Sequence, residues 1–146
     1  MTEYLPTIAV LGGTGAEGSG LAMRWAQAGY RVLIGSRSAE KAAEFAAEIG
    51  AEGMGNAEAA AGCDIAVLTV PYSAQRPTLS DLKDALQGKI LVDVTVPLVP
   101  PKVMRVQLPE EGSAAQIAQT VLGDSVRVVS AFQNVSAGHL KDPDHV

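Results

Sequence analysis

Residues Gly13-Thr14-Gly15-Ala16-Glu17-Gly18 carry the spacing G-x-G-x-x-G. Glycine at these three places serves the backbone. Gly13 permits a tight turn, Gly15 lets the main chain approach a bulky anion, and Gly18 lets a helix pack closely on a sheet. The free N–H groups of the first helical turn, together with the helix dipole, then attract phosphate groups. Glu17 suits that dipole but must point away from the phosphates. The motif follows the apolar run TIAVL at 7–11 and opens an amphipathic stretch. In that context it reads as a dinucleotide pyrophosphate site.

The second group lies about 20 residues further on, where NAD-binding chains carry an Asp or Glu for the ribose 2′-hydroxyl. Here the chain reads Gly35-Ser36-Arg37, with Lys41 one helical turn later. No carboxylate stands there to repel a 2′-phosphate. Ser36 can donate a hydrogen bond. Arg37 can fork onto the phosphate and lay its plane on adenine, and Lys41 adds a second positive charge. The set points to NADP over NAD.

Other residues carry two readings each. Tyr72, after TVP at 69–71, packs beside a ribose or nicotinamide, or covers the sheet as a loop aromatic. Asp93, inside an apolar strand, orients the following loop or is a satisfied buried carboxylate. Trp25 reads as core. Cys63 has no basic neighbour in sequence and reads as an inert thiol. No Ser/Tyr-x-x-x-Lys pair, catalytic His or Lys–Asn set is present. Alcohol oxidation needs a general base near the substrate hydroxyl. Hydride passed between two redox cofactors needs only contact between the reactive carbons and exclusion of water.

These residues must be held by a frame, and its elements alternate. Apolar runs at 7–11, 31–34, 64–70, 89–96 and 126–131, with a weak one at 51–54, read as strands buried on both faces. Helices are expected at 16–28, at 39–49 with Ser38 as cap and Gly50 as stop, and at 56–61 capped by Asn56. Two more are expected: in the second half of 73–86, where Leu79, Leu82 and Leu86 share a face, and at 113–122 with a Ser113/Gln116 capping box. Strict alternation means an α/β doubly wound parallel sheet, a Rossmann fold of about six strands in the order 3-2-1-4-5-6. The segment 97–112 holds four prolines. It reads as a ligand loop or a plain connection past strand five.

Length and composition set the outer limits. The 146 residues fit one domain on a prior of roughly 100–200 residues per domain. Hydrophobic residues make 47% and charged residues 18%, a globular balance. Eleven basic against sixteen acidic residues give a net charge of −5, which argues against nucleic acid or a membrane surface as partner. One cysteine excludes an internal disulfide and a cysteine-based zinc site. No apolar run reaches the roughly 18 residues of a membrane span. MTEYLPTIAV has neither a basic segment nor a cleavage signal, so a cytoplasmic protein is expected.

Several blocks together resemble the NADPH-dependent reductases of coenzyme F420, a deazaflavin. They are LGGTGAEGSGLA at 11–22, IGSR at 34–37 with Lys41, CDIAVLTVPY at 63–72, PLVPP at 97–101, GSAAQIA at 112–118 and VVSAFQNVSA at 128–137. The resemblance implies NADP on Thr14 to Glu17, on Ser36, Arg37 and Lys41, and near Tyr72, Val99 and Ala137. It implies the deazaflavin over the nicotinamide, near 97–101 and Gln133, Asn134 and Val135. Hydride would pass between nicotinamide C4 and deazaflavin C5, and no side chain is required as acid or base. Family members continue into a helical part that completes the deazaflavin pocket and much of a dimer contact. A homodimer is thus implied, and a chain ending at Val146 would expose an apolar patch and self-associate. Two other functions fit the same residues: a non-enzymatic NADP(H) sensor, and the cofactor domain of another NADP reductase acting on an imine or ferric ion.

Overall fold

The computed structural model describes residues 4–96, 113–142 and 144. Six strands, β1 (Ile8–Leu11), β2 (Val32–Ser36), β3 (Glu52–Gly55), β4 (Ile65–Leu68), β5 (Ile90–Asp93) and β6 (Arg127–Ser130), form one sheet in the order β3-β2-β1-β4-β5-β6. Every pairing is parallel. Six helices connect or follow them: α1 (Ala16–Gln27), α2 (Ala39–Ile49), α3 (Asn56–Gly62), α4 (Gln75–Leu82), α5 (Ala114–Leu122) and α6 (Ala137–Lys141). The expected architecture and strand order are both found.

Strand alternation divides the core in two. Ala9 and Leu11 of β1 join Leu33, Leu68 and Leu91 under α3, α4 and α5, with Leu79, Leu86 and Leu122. Ile8 and Val10 join Val32, Ile34 and Val67 under α1, α2 and α6, with Leu21, Ala42 and Ala46. Successive side chains of a strand point to opposite faces, so both faces must be covered. Each fully buried Leu or Ile is worth about 1.5–3 kcal/mol. The edge strand β6 is mostly exposed, and Val129 keeps 49% of its surface.

Local signals hold where they rest on neighbouring residues. Ser38 caps α2 by accepting from the Lys41 amide, and Gly50 ends it at φ 74°. Ser113 and Gln116 form the reciprocal capping box of α5. Two expectations need correction. The helix in 73–86 runs from Gln75 to Leu82 and so begins before the second half, with Pro77 in its first turn, where no amide donor is missed. After Leu82 the chain turns, yet Leu86 is still fully buried. The cap of α3 is Gly55, not Asn56, whose side chain is engaged elsewhere.

Candidate dinucleotide site

The glycine turn begins one residue earlier than its motif. Gly12, at φ +75°, takes the left-handed turn assigned above to Gly13. A Cβ there would lie 2.8 Å from Val70 Cγ1. Gly13 is needed for closeness instead, since its Cβ would lie 2.8 Å from Val10 O. Both amides donate to Gly35 O at 3.0 Å, which ties the turn to the end of β2. Gly12 N also donates to Asn56 Oδ1 at 3.3 Å. Gly15 is the N-cap of α1 and offers no capping side chain. The first-turn amides, those of Ala16, Glu17 and Gly18, therefore lack intrahelical acceptors. A Cβ on Gly15 would meet only Gly12 O, at 3.4 Å, so the approach to these amides is open. Gly18 lies against β4's end, and a Cβ there would fall 2.4 Å from Thr69 Oγ1. The three glycines thus form a cradle for a diphosphate, and the residues present fit that group.

Three hollows surround the turn along the carboxyl edge of the sheet. The first, of about 570 Å³, is lined by Arg37, Asn56, Pro71 and the α4 residues Thr78, Asp81 and Leu82. The second, of about 450 Å³, is lined by Gly15, Ala16, Glu17, Thr69, Tyr72 and the end of β5 from Val94 to Val96. Pro71 borders both. The third lies between α1 and α2, and Thr14 and Lys41 line it. Arg37 and Lys41 therefore face different hollows on either side of the β2 end. Ser36, 9% exposed, is between them in sequence and uses its Oγ to accept from Ser38 N at 3.2 Å. No carboxylate stands at the end of β2, and one cation lies on each side of it.

Glu17 lines the second hollow together with Gly15 and Ala16. Its Oε1 is buried without a hydrogen-bond partner, and burial raises its carboxyl pKa. Tyr72 is half-buried in the same hollow. Beneath this hollow Asp93, 1% exposed, accepts from Gln75 Nε2 at 2.8 Å and from Thr95 N at 2.9 Å. Burial raises its pKa, and the bonds from Thr95 and Gln75 partly offset this. Gln75 Nε2 also donates to Ala114 O at 2.7 Å, joining α4, β5 and α5. Asp93 is thus a hydrogen-bonded buried carboxylate that holds Thr95 just past β5; the 97–112 loop it was expected to orient lies outside the described residues.

The remaining expected residues stand apart from these hollows. Gln133 is exposed and donates through Nε2 to Asp93 O and Ser130 Oγ, at 2.7 and 2.8 Å. Asn134 is exposed, Val135 is half-buried, and Ala137 opens α6. They follow Phe132, whose φ of 65° is left-handed for a bulky side chain. Its ring packs edge-on against Trp25, centroids 6.0 Å apart, which holds the turn. Val99 lies outside the described residues. Cys63 is buried, donates to Ala60 O, and has its thiol pKa raised by burial, with Lys89 opposing this. Among the described residues no group of His, Cys, Asp or Glu could hold a metal ion. The sequence marks Asn56 only as a helix cap and does not single out Gln75; a polar residue at a helix start is the one cue either offers.

Comparison with known proteins places this geometry. A family described as "NADP oxidoreductase coenzyme F420-dependent" matches residues 7–97. The F420-dependent NADP reductase of Methanothermobacter marburgensis is 45% identical over 148 residues, covering 92% of this chain and 66% of that protein. Its counterpart in Methanocaldococcus jannaschii is 42% identical over 152 residues, covering 94% and 67%. The chain thus spans about two thirds of the length of these relatives. Among solved structures, a hypothetical protein from Sinorhizobium meliloti superposes with TM-score 0.76 at 23% identity, covering 93% of this chain and 64% of that one. An imine reductase from Bacillus cereus gives 0.67 at 21%, covering 91% and 42%. At those identities the likeness concerns the fold alone.

Proposed function

Since this chain belongs to the family of coenzyme F420-dependent NADP oxidoreductases, we propose that it moves a hydride between NADP(H) and the deazaflavin coenzyme F420. The observation that carries this reading is the cradle of Gly13, Gly15 and Gly18 between two hollows, with Ser36 and Arg37 in place of a carboxylate. The Ala16, Glu17 and Gly18 amides hold the pyrophosphate, with Thr14 beside it. The adenine end takes the Arg37 hollow, where the guanidinium stacks on the base. The 2′-phosphate takes the end of β2 between two hollows, where Arg37 reaches it from one side and Lys41 from the other, beside Ser36. The nicotinamide takes the hollow beside Tyr72, floored by the end of β5.

The two cofactors supply the redox chemistry, a two-electron hydride exchanged between nicotinamide C4 and deazaflavin C5. The chain's own residues bind, orient and exclude water. Asp93, through Thr95, fixes the strand end that floors the nicotinamide hollow. Gln133, Asn134, Val135, Ala137 and Val99 are assigned to the deazaflavin side and the nicotinamide edge. No residue is given an acid or base role. The reading takes the chain as a cytoplasmic homodimer. The net charge of −5 argues against a nucleic-acid partner, and Val129 on β6, the edge strand among the described residues, is exposed and suits pairing.

Mixing the chain with NADPH and oxidised deazaflavin tests the reading. Loss of the deazaflavin's visible absorbance over many turnovers is expected. Tight NADPH binding with no turnover would favour a sensor of NADP(H) instead.

A further inference from the structure

The hollow that takes Lys41 has a wall that neither the glycine turn nor β2 supplies. Its volume is about 400 Å³, and its lining is Thr14, Ser19, Met23, Lys41, Phe45 and Lys141. Met23 and Phe45 give it apolar sides. Its polar groups are two hydroxyls and two ammonium groups, with no carboxylate among them. Ser19 spends its hydroxyl proton on Ala16 O at 3.0 Å, so the donors left are the Thr14 hydroxyl and the two ammonium groups. Paired cations with a hydroxyl over an apolar floor suit a dianionic phosphate. Thr14 belongs to the glycine turn, so this hollow opens beside the diphosphate cradle.

Lys141 reaches it from the far end of the chain, on a five-residue helix too short to hold itself. Its position comes from α1. Gly20 lies outside the G-x-G-x-x-G motif and weakens a helix interior relative to alanine. A Cβ there would fall 2.6 Å from Leu140 Cβ, so this glycine admits α6. One turn later Arg24 caps the end of α6. Its Nε donates to Leu140 O at 2.9 Å, and its Nη2 to His139 O at 2.9 Å and Asp142 O at 2.8 Å.

We propose that Lys141 is a further cation of the 2′-phosphate pocket, a specificity-determining residue delivered by α6, and that Arg24 is its positioning residue. The inference rests on the NADP reading above and adds to it a contribution from α6.

The test is the affinity of the full chain for NADPH and for NADH, across a salt series, in Lys141→Gln, Lys141→Arg and Arg24→Gln, with Lys41→Gln as reference. Lys141→Gln should weaken NADPH roughly tenfold, as loss of one charged contact does. NADH should stay within about twofold and the salt dependence should flatten. Lys141→Arg should keep most of the affinity. Arg24→Gln should lose the same NADPH increment, and adding Lys141→Gln to it should cost little more. If Lys141→Gln leaves NADPH unchanged, or weakens both coenzymes equally, while Lys41→Gln remains selective, the inference fails and the NADP reading stands. If the unaltered chain binds neither coenzyme, or both alike, the reading fails and the inference with it.

Discussion

Alanine at position 18 would probe how the phosphate cradle is held against the sheet. Its methyl would stand 2.4 Å from Thr69 Oγ1 and 3.1 Å from Gly12 O and Gly13 Cα. The first contact cannot exist; the other two need shifts of a few tenths of an ångström. The Thr69 hydroxyl is where it is because it donates to Leu11 O at 2.8 Å. Turning it away forfeits about 1 kcal/mol, while lifting α1 instead costs about 1–3 kcal/mol of overpacking. Against this stands about 1 kcal/mol that alanine gains over glycine in a helix. The balance is a loss of up to about 2 kcal/mol, with a melting temperature lower by several degrees. NADPH should bind roughly tenfold more weakly, because the α1 amides move with the helix. Thr69→Ala removes the obstructing oxygen at little cost, because Leu11 O still accepts from Thr69 N at 3.0 Å. In that background Gly18→Ala should be neutral or stabilising, a coupling of about 1–2 kcal/mol. Urea unfolding of the four proteins, followed by the single tryptophan, measures it. Strictly additive effects would refute the close-packing account of Gly18.

Three further outcomes follow from the same geometry. Arg37→Ala should weaken NADPH by about 1.5–3 kcal/mol, roughly 10- to 150-fold, and NADH far less; equal losses in titration calorimetry would remove Arg37 from the 2′-phosphate. Glu17 has its pKa raised by burial, so the folded chain holds its proton better than the unfolded one. The stability it contributes is complete at low pH and is lost as pH rises through the folded value. Glu17→Gln should therefore match the parent near pH 4 and exceed it in melting temperature towards pH 7, and a gap that does not widen would contradict this. Asp93→Ala leaves Thr95 N without its acceptor and Gln75 Nε2 with Ala114 O alone. A loss of about 2–4 kcal/mol is expected in urea unfolding, and less than 1 kcal/mol would deny Asp93 its bridging role.

Much of this protein was legible without coordinates, because the relevant contacts are local. Strand and helix alternation, the caps at Ser38 and Ser113 and the placing of the glycine turn all depend on residues a few positions apart. Apolar strands with no polar face dictate a sheet covered on both sides, and right-handed crossovers then leave few strand orders. The absence of a carboxylate after β2 is likewise a one-dimensional fact.

Tertiary structure decided what spans the chain. Asn56 meets the glycine turn across 44 residues, Gln75 meets Ala114 across 39, and Arg24 meets Leu140 across 116. No periodicity foretells which polar residue will find which carbonyl after the sheet has closed. Arg37 and Lys41, adjacent enough to be read as one cluster, were sent to separate hollows by the start of α2 between them. Side-chain direction at a strand-to-helix junction depends on how the chain turns between the two elements, and composition carries no record of it.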